Sequence, residues 1–126
     1  MIKFSQDKVL LLHRLLIEET GGEDGVRDIG LLDSALSACY ATFDGKELFP
    51  SKEEKAARLG AGLVSNHAFV DGNKRIGMYI MLSFLEVNGV QIEVSDDEIV
   101  RVGLALAQGT MKYEELLQWI LENKIN

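Results

Sequence analysis

One cysteine in 126 residues rules out several architectures at once. With Cys39 alone, no intrachain disulfide can close and no cysteine-rich zinc cluster can assemble, which points to a reducing, cytoplasmic setting. Proline is equally scarce, at one residue, and no linker-like stretch or composition shift divides the chain, so residues 1–126 read as a single domain. No apolar run approaches membrane-spanning length. The first residues, MIKFSQDKVLLLHRLL, lack the basic flank, the uninterrupted apolar segment and the small-residue cleavage site of a secretory signal. The expectation is a chain neither exported nor membrane-inserted. Positive charge is in deficit as well: 13 basic against 20 acidic residues leave a net charge of −7, which disfavours nucleic acid or anionic lipid as the main partner. There is no GxxxxGK[ST] phosphate loop, no GxGxxG after a strand and no HExxH zinc helix.

What is present is helix. Val9, Leu12, Leu15 and Leu16 describe an amphipathic helix that begins near Ser5, carries His13 and stops at Gly21-Gly22. After the loop GGEDGVRD, Asp28 is placed to cap a second helix, roughly Ile29 to Tyr40. TFDGKELFP follows as a connection with aspartate-glycine turn chemistry. Ser51 and Glu54 form a capping box for a helix to about His67, whose AARLGAGL centre allows another helix to approach closely. From Asn73 a further helix runs through IGMYIMLSFLEV with no clean polar face, as expected of a rod wrapped on nearly all sides. VQIEV reads as a strand fragment or extended linker. Ser95 with Glu98 suggests a second capping box before a helix through about Ala107, and Leu116, Leu117, Trp119, Ile120 and Leu121 mark the last helix. The fold expected is all-α, a compact single-domain bundle of about six helices around a buried central one.

Between the third and fourth of these helices lies HAFVDGNKR, residues 67 to 75. Such a connection gathers its functional groups at a helix N-terminus, where the first amides lack intrahelical partners and the macrodipole is positive. Gly72 permits a turn that exposes those amides, and Asn73, Lys74 and Arg75 add an amide and two cations, so phosphate is the natural ligand. Asp71 would repel it unless a cation lies between, and magnesium, which binds through one or two carboxylates plus nucleotide phosphates, meets that need. His67 carries an imidazole able to take a proton from an attacking hydroxyl. The same residue types also serve as helix caps and solvated cations, and Phe69 reads as a core anchor for the loop. His13 is expected to be a structural or partly exposed helix residue, and Cys39 to be core.

At these residues the sequence resembles the Fic/Doc superfamily, and within it the Doc (death on curing) toxin branch, whose motif is approximately HxFx[DN]xNK[RT]. His67, Phe69, Asp71, Asn73, Lys74 and Arg75 occupy every specified position. GGEDGVRDIGLLDSAL, PSKEEKAARLGAGLVSNHAF and FLEVNGV are similar to the flanking segments of Doc-like proteins, while Ala68 departs from the proline often found after the motif histidine. The resemblance implies a compact helical bundle and a transferase that uses ATP and Mg2+ on a protein hydroxyl. His67 would be the general base, Asp71 would help hold the metal, and Gly72, Asn73, Lys74 and Arg75 would hold nucleotide phosphates.

Lys74 separates the branches. Adenylyl-transferring Fic enzymes usually carry glycine there, leaving room for a diphosphate. The resemblance to Doc implies instead a toxin kinase that passes the γ-phosphate of ATP to a threonine of translation elongation factor Tu and arrests translation. A Fic-type AMP transferase is the alternative reading, and a non-catalytic antitoxin-binding module a third. The inhibitory [ST]xxxE[GN] helix motif of many Fic proteins is missing, TMKYEE at Thr110 being the nearest stretch. Restraint by a separate Phd-like antitoxin, becoming helical in a groove of the toxin, is therefore implied.

Overall fold

A computed structural model describes residues 1–125. Among the described residues it has six helices, α1 (Gln6–Thr20), α2 (Ile29–Ala38), α3 (Lys52–Ser65), α4 (Asn73–Val87), α5 (Asp96–Gln108) and α6 (Tyr113–Asn123), with two-residue strands β1 (Thr42–Phe43) and β2 (Lys46–Glu47) between α2 and α3. The all-α expectation holds. No helix among the described residues is long and apolar enough to cross a membrane.

The capping signals act largely as read. Ser5 accepts from the Lys8 amide and Asp28 from the Leu31 amide, and Ser51 and Glu54 cap one another's backbone reciprocally. At α5 only half of the expected box forms. Ser95 accepts from the Glu98 amide, but the Glu98 carboxylate is taken by Arg101 at 2.6 and 3.0 Å and by the Trp119 indole at 3.0 Å. A bidentate guanidinium and an indole donor outcompete one backbone amide. They hold the Glu98 carboxyl down at about 2.

Helices α3 and α4 form the central pair; α2, α5 and α6 also pack on α3, and α1 and α5 on α4. The pair approaches closely because side chains are missing at the crossing. A Cβ on Gly77 would overlap Val64, and one on Gly60 would lie 2.7 Å from the Met81 sulfur. Around this contact Leu63, Ile76, Ile80, Met81, Phe84 and Leu85 are fully buried. The rod is less enclosed than its composition suggests, however. Tyr79 is exposed and Leu82 half-buried, along a stripe of α4 that faces a groove between α1, α4 and α5.

One connection gains structure that periodicity did not show, and VQIEV takes the form expected of it. TFDGKE closes as a hairpin with Thr42 opposite Glu47 and Phe43 opposite Lys46; Asp44 and Gly45 both take positive φ, at 53° and 76°, which is the geometry of a two-residue hairpin turn. Lys55, 2% exposed, fastens its base by donating to Glu47 at 2.8 Å and to the Phe49 carbonyl. VQIEV is extended, with one isolated bridge from Ile92 to Lys124. Helix α2 ends at Ala38 and α3 at Ser65, short of Tyr40 and His67. At α3 the cause is tertiary, because the following residues leave the helix to pair with the loop before α2.

Candidate active site

The α3–α4 connection is held against the α1–α2 loop by backbone pairing. Val26 and Phe69 form an isolated antiparallel bridge, the amides of Arg27 and Asp28 both donate to the Ala68 carbonyl at 2.8 and 3.0 Å, and the Val70 amide donates to the Gly25 carbonyl at 3.1 Å. Arg27 adds its side chain: Nε donates to the His67 carbonyl at 2.7 Å and Nη2 to that of Asn66 at 3.3 Å. Under this clamp His67 takes φ of 55°, a left-handed conformation costing a non-glycine residue about 1–2 kcal/mol, and its side chain is exposed.

Phe69 is the anchor that the sequence suggested, 1% exposed. Its ring stacks on His13, centroids 3.8 Å apart and planes 12° from parallel. Ala68, in place of the more usual proline, is fully buried. Asn73 closes the loop, its Oδ1 accepting from the Phe69 amide and its Nδ2 donating to the Phe69 carbonyl, both at 3.0 Å. Both polar ends of this amide are thus committed to the loop backbone. What the helix start offers an anion is its first amides together with the side chains of Lys74 and Arg75.

Gly72 is the N-cap of α4 at φ of 78°, with no side-chain cap bond there. Only glycine takes this turn without strain. Asp71 stands beside it. Its Oδ1 accepts from the Gly72 amide at 2.8 Å and its Oδ2 from the Glu23 amide at 3.2 Å, and Arg75 Nη2 lies 3.7 Å from Oδ1. The Glu23 amide first, then that of Gly72 and the charge of Arg75, hold the Asp71 carboxyl below the usual carboxylate range. Arg75 is anchored from the other side by Thr20 Oγ1 and by the Gly21 carbonyl, the latter at 2.7 Å. Asp71, Gly72 and Arg75 are thereby bonded in one turn, Asn73 ties its start to Phe69, His67 is held through its carbonyl by Arg27, and Lys74 is exposed at the groove.

The donor set suits a shared magnesium rather than a caged one. Among the described residues no three His, Cys, Asp or Glu side chains gather as a metal cluster, yet the Asp71 side chain is 48% exposed at the head of an amide-rich helix start. One half-exposed carboxylate, with a single amide on each oxygen, would fit a magnesium that completes its shell with oxygens from a bound ligand and water.

Arg27 and the backbone of residues 25–28, which set the loop's path, were not singled out from sequence; their segment, GGEDGVRD, showed locally a helix stop and the cap at Asp28. His13, expected to be structural or partly exposed, is structural and is a buried part of the loop's floor. Cys39 is buried, and burial pushes its thiol up, as befits a core residue.

Beside the loop runs the groove between α1, α4 and α5, about 770 Å³ in volume and walled by Leu16, Met78, Tyr79, Ile99, Val100 and Leu104. Lys74 and Arg75 line it too, so loop and groove adjoin.

The chain is similar to known proteins over most of its length. Residues 3–85 match the model of the Fic/DOC family. Over 77 residues, 61% of the chain, the sequence is 47% identical to "Toxin Doc" of Mycolicibacterium smegmatis, and the match covers 59% of that protein's length. Over 92 residues, 73% of the chain, it is 32% identical to "Protein kinase doc" of Escherichia phage P1, 72% of which is covered.

Proposed function

The chain belongs to the Fic/DOC family, and from that premise we propose that it is the toxin of a toxin–antitoxin pair, a cytoplasmic protein kinase that transfers the γ-phosphate of ATP to a threonine hydroxyl of translation elongation factor Tu. The observation that carries this reading is the single turn, four residues after His67 and enclosing Lys74, in which Asp71 is bonded to the Gly72 amide and paired with Arg75. Phosphoryl transfer requires mainly positioning and charge stabilisation, with no enzyme nucleophile. That is what this turn supplies.

His67 accepts the proton of the threonine hydroxyl as its oxygen bonds to the γ-phosphorus. The bond from that phosphorus to the bridging oxygen breaks, and ADP leaves with the electron pair. The amides from Asn73 onward, with Lys74 and Arg75, hold the phosphates in line, while the Gly72 amide holds the Asp71 carboxylate beside them. Asp71 would hold the magnesium ion, which supplies charge neutralisation on the phosphate oxygens. Lys74 stands where adenylyl-transferring Fic enzymes usually carry glycine and leave room for a diphosphate, which supports presentation of the terminal phosphate.

The apolar groove supports the second half of the reading. Its apolar walls suit the apolar face of an amphipathic helix, the form expected of the inhibitory segment of a Phd-like antitoxin. A helix there would lie against Lys74 and Arg75, so occupancy and nucleotide binding would compete.

The test is incubation of purified protein and elongation factor Tu with ATP labelled at either the α- or the γ-phosphate. Transfer of γ label alone is expected. Transfer of α label alone would establish adenylyl transfer instead, and transfer of neither, with the antitoxin still bound, a non-catalytic module.

A further inference from the structure

His13 is 1% exposed, projects from α1, and has no place in the reaction just described. Its Nε2 lies 2.7 Å from the carbonyl oxygen of Asp71. A carbonyl only accepts, so this nitrogen carries the proton. The Nδ1 atom faces the Asp24 carboxylate at 3.5 Å, and the ring face lies on Phe69. His13 is thus held by the Asp71 carbonyl and the Phe69 ring, and its Nε2–H is aimed at the backbone of the motif loop.

The peptide unit it holds is the one between Asp71 and Gly72. In a trans peptide the carbonyl and the following N–H point in opposite directions. The described residues contain no cis peptide bond. Here the carbonyl points inward to the buried imidazole, while the N–H of the same unit points to the half-exposed Asp71 carboxylate. The backbone alone does not enforce this choice, because glycine adopts positive and negative φ about equally and tolerates a flip of the peptide before it. A flipped unit would turn the carbonyl oxygen, with its partial negative charge, toward the side where Asp71 and the helix amides stand.

We propose that His13 is a positioning residue that locks the Asp71–Gly72 peptide by its Nε2–H, keeping the Gly72 amide and not the Asp71 carbonyl turned toward the nucleotide side of the loop. The inference rests on the proposed function for its nucleotide. The orientation itself does not.

The test uses the full chain with a ¹⁵N label. Residual dipolar couplings of the Gly72 N–H, measured without nucleotide, report its orientation, and calorimetric titration with MgATP reports affinity. His13→Phe keeps the stack on Phe69 without the donor, His13→Met keeps buried volume without ring or donor, and His13→Gln restores a donor without the ring. The donor-free variants are expected to shift the Gly72 coupling and to weaken MgATP by about tenfold, the effect of one lost hydrogen bond to a group whose alternative orientation is repulsive. His13→Gln is expected to recover both. An unchanged Gly72 coupling in a folded donor-free variant overturns the inference whatever the affinity, and so does unchanged MgATP affinity where the parent binds. If the parent itself fails to bind MgATP, the functional reading falls, and the coupling alone then decides whether His13 sets the peptide.

Discussion

The guanidinium of Arg27 donates through Nε to the carbonyl oxygen of His67 at 2.7 Å, across 40 residues of sequence. That bond joins the loop before α2 to the residue assigned as general base, and it accompanies the left-handed backbone of His67. Removing the fork in Arg27→Ala should let the histidine relax toward ordinary φ and leave its imidazole misplaced. Phosphoryl transfer is expected to fall on the order of tenfold to a hundredfold, with helical content unchanged. Arg27→Lys should recover little, since one ammonium cannot reproduce a planar fork shared between two carbonyls. Steady-state rates with circular dichroism check both.

His67 sets function against stability. Its side chain is exposed, so truncation removes little packing, while its positive φ strains any residue with a Cβ. His67→Ala is expected to cost roughly 10²–10⁴-fold in rate, as loss of a general base does, and to fold normally. His67→Gly should be equally inactive yet more stable than His67→Ala by about 1 kcal/mol, a few degrees in Tm. Thermal melts of the two variants decide the point.

Asp71 contributes stability with a definite pH dependence. Its folded pKa lies below the ordinary 3.8, chiefly because the Glu23 and Gly72 amides favour the carboxylate. A depressed carboxyl pKa stabilises the fold above the unfolded value and loses that contribution as pH falls through the folded one. The advantage of the parent over Asp71→Asn in urea unfolding should therefore be full at neutral pH and fade below 3.8. Transfer activity at neutral pH should be lost as well.

Leu104 tests the groove separately from the chemistry. It is 43% exposed on α5, so a charge there costs the fold little while breaking an apolar surface. Leu104→Glu is expected to retain transferase activity and growth inhibition but to lose neutralisation by the co-expressed antitoxin. Pull-down with the antitoxin, beside a growth assay, checks this.

Much of the fold was legible in sequence because its signals are local. Ser5, Asp28, Ser51 and Ser95 cap helices by bonding to amides three residues on, and glycines 21 and 109 end α1 and α5, so boundaries could be read from neighbours. The hairpin was missed for its brevity. Two residues per strand give no alternation to detect, and its buried fastener, Lys55, lies in a helix beyond it. The second capping box failed because Arg101 and Trp119 claim Glu98, and the Trp119 partner lies 21 residues away.

By itself the sequence determined the helical class and the chemistry available between His67 and Arg75, since both depend on residue type and short spacing. Tertiary structure alone decided how that chemistry is aimed. His13 and Arg27, 58 and 40 residues from the carbonyls they hold, fix the backbone of the loop. A hydrogen bond between distant residues leaves no periodicity behind, and only the folded backbone determines which carbonyl a buried donor meets.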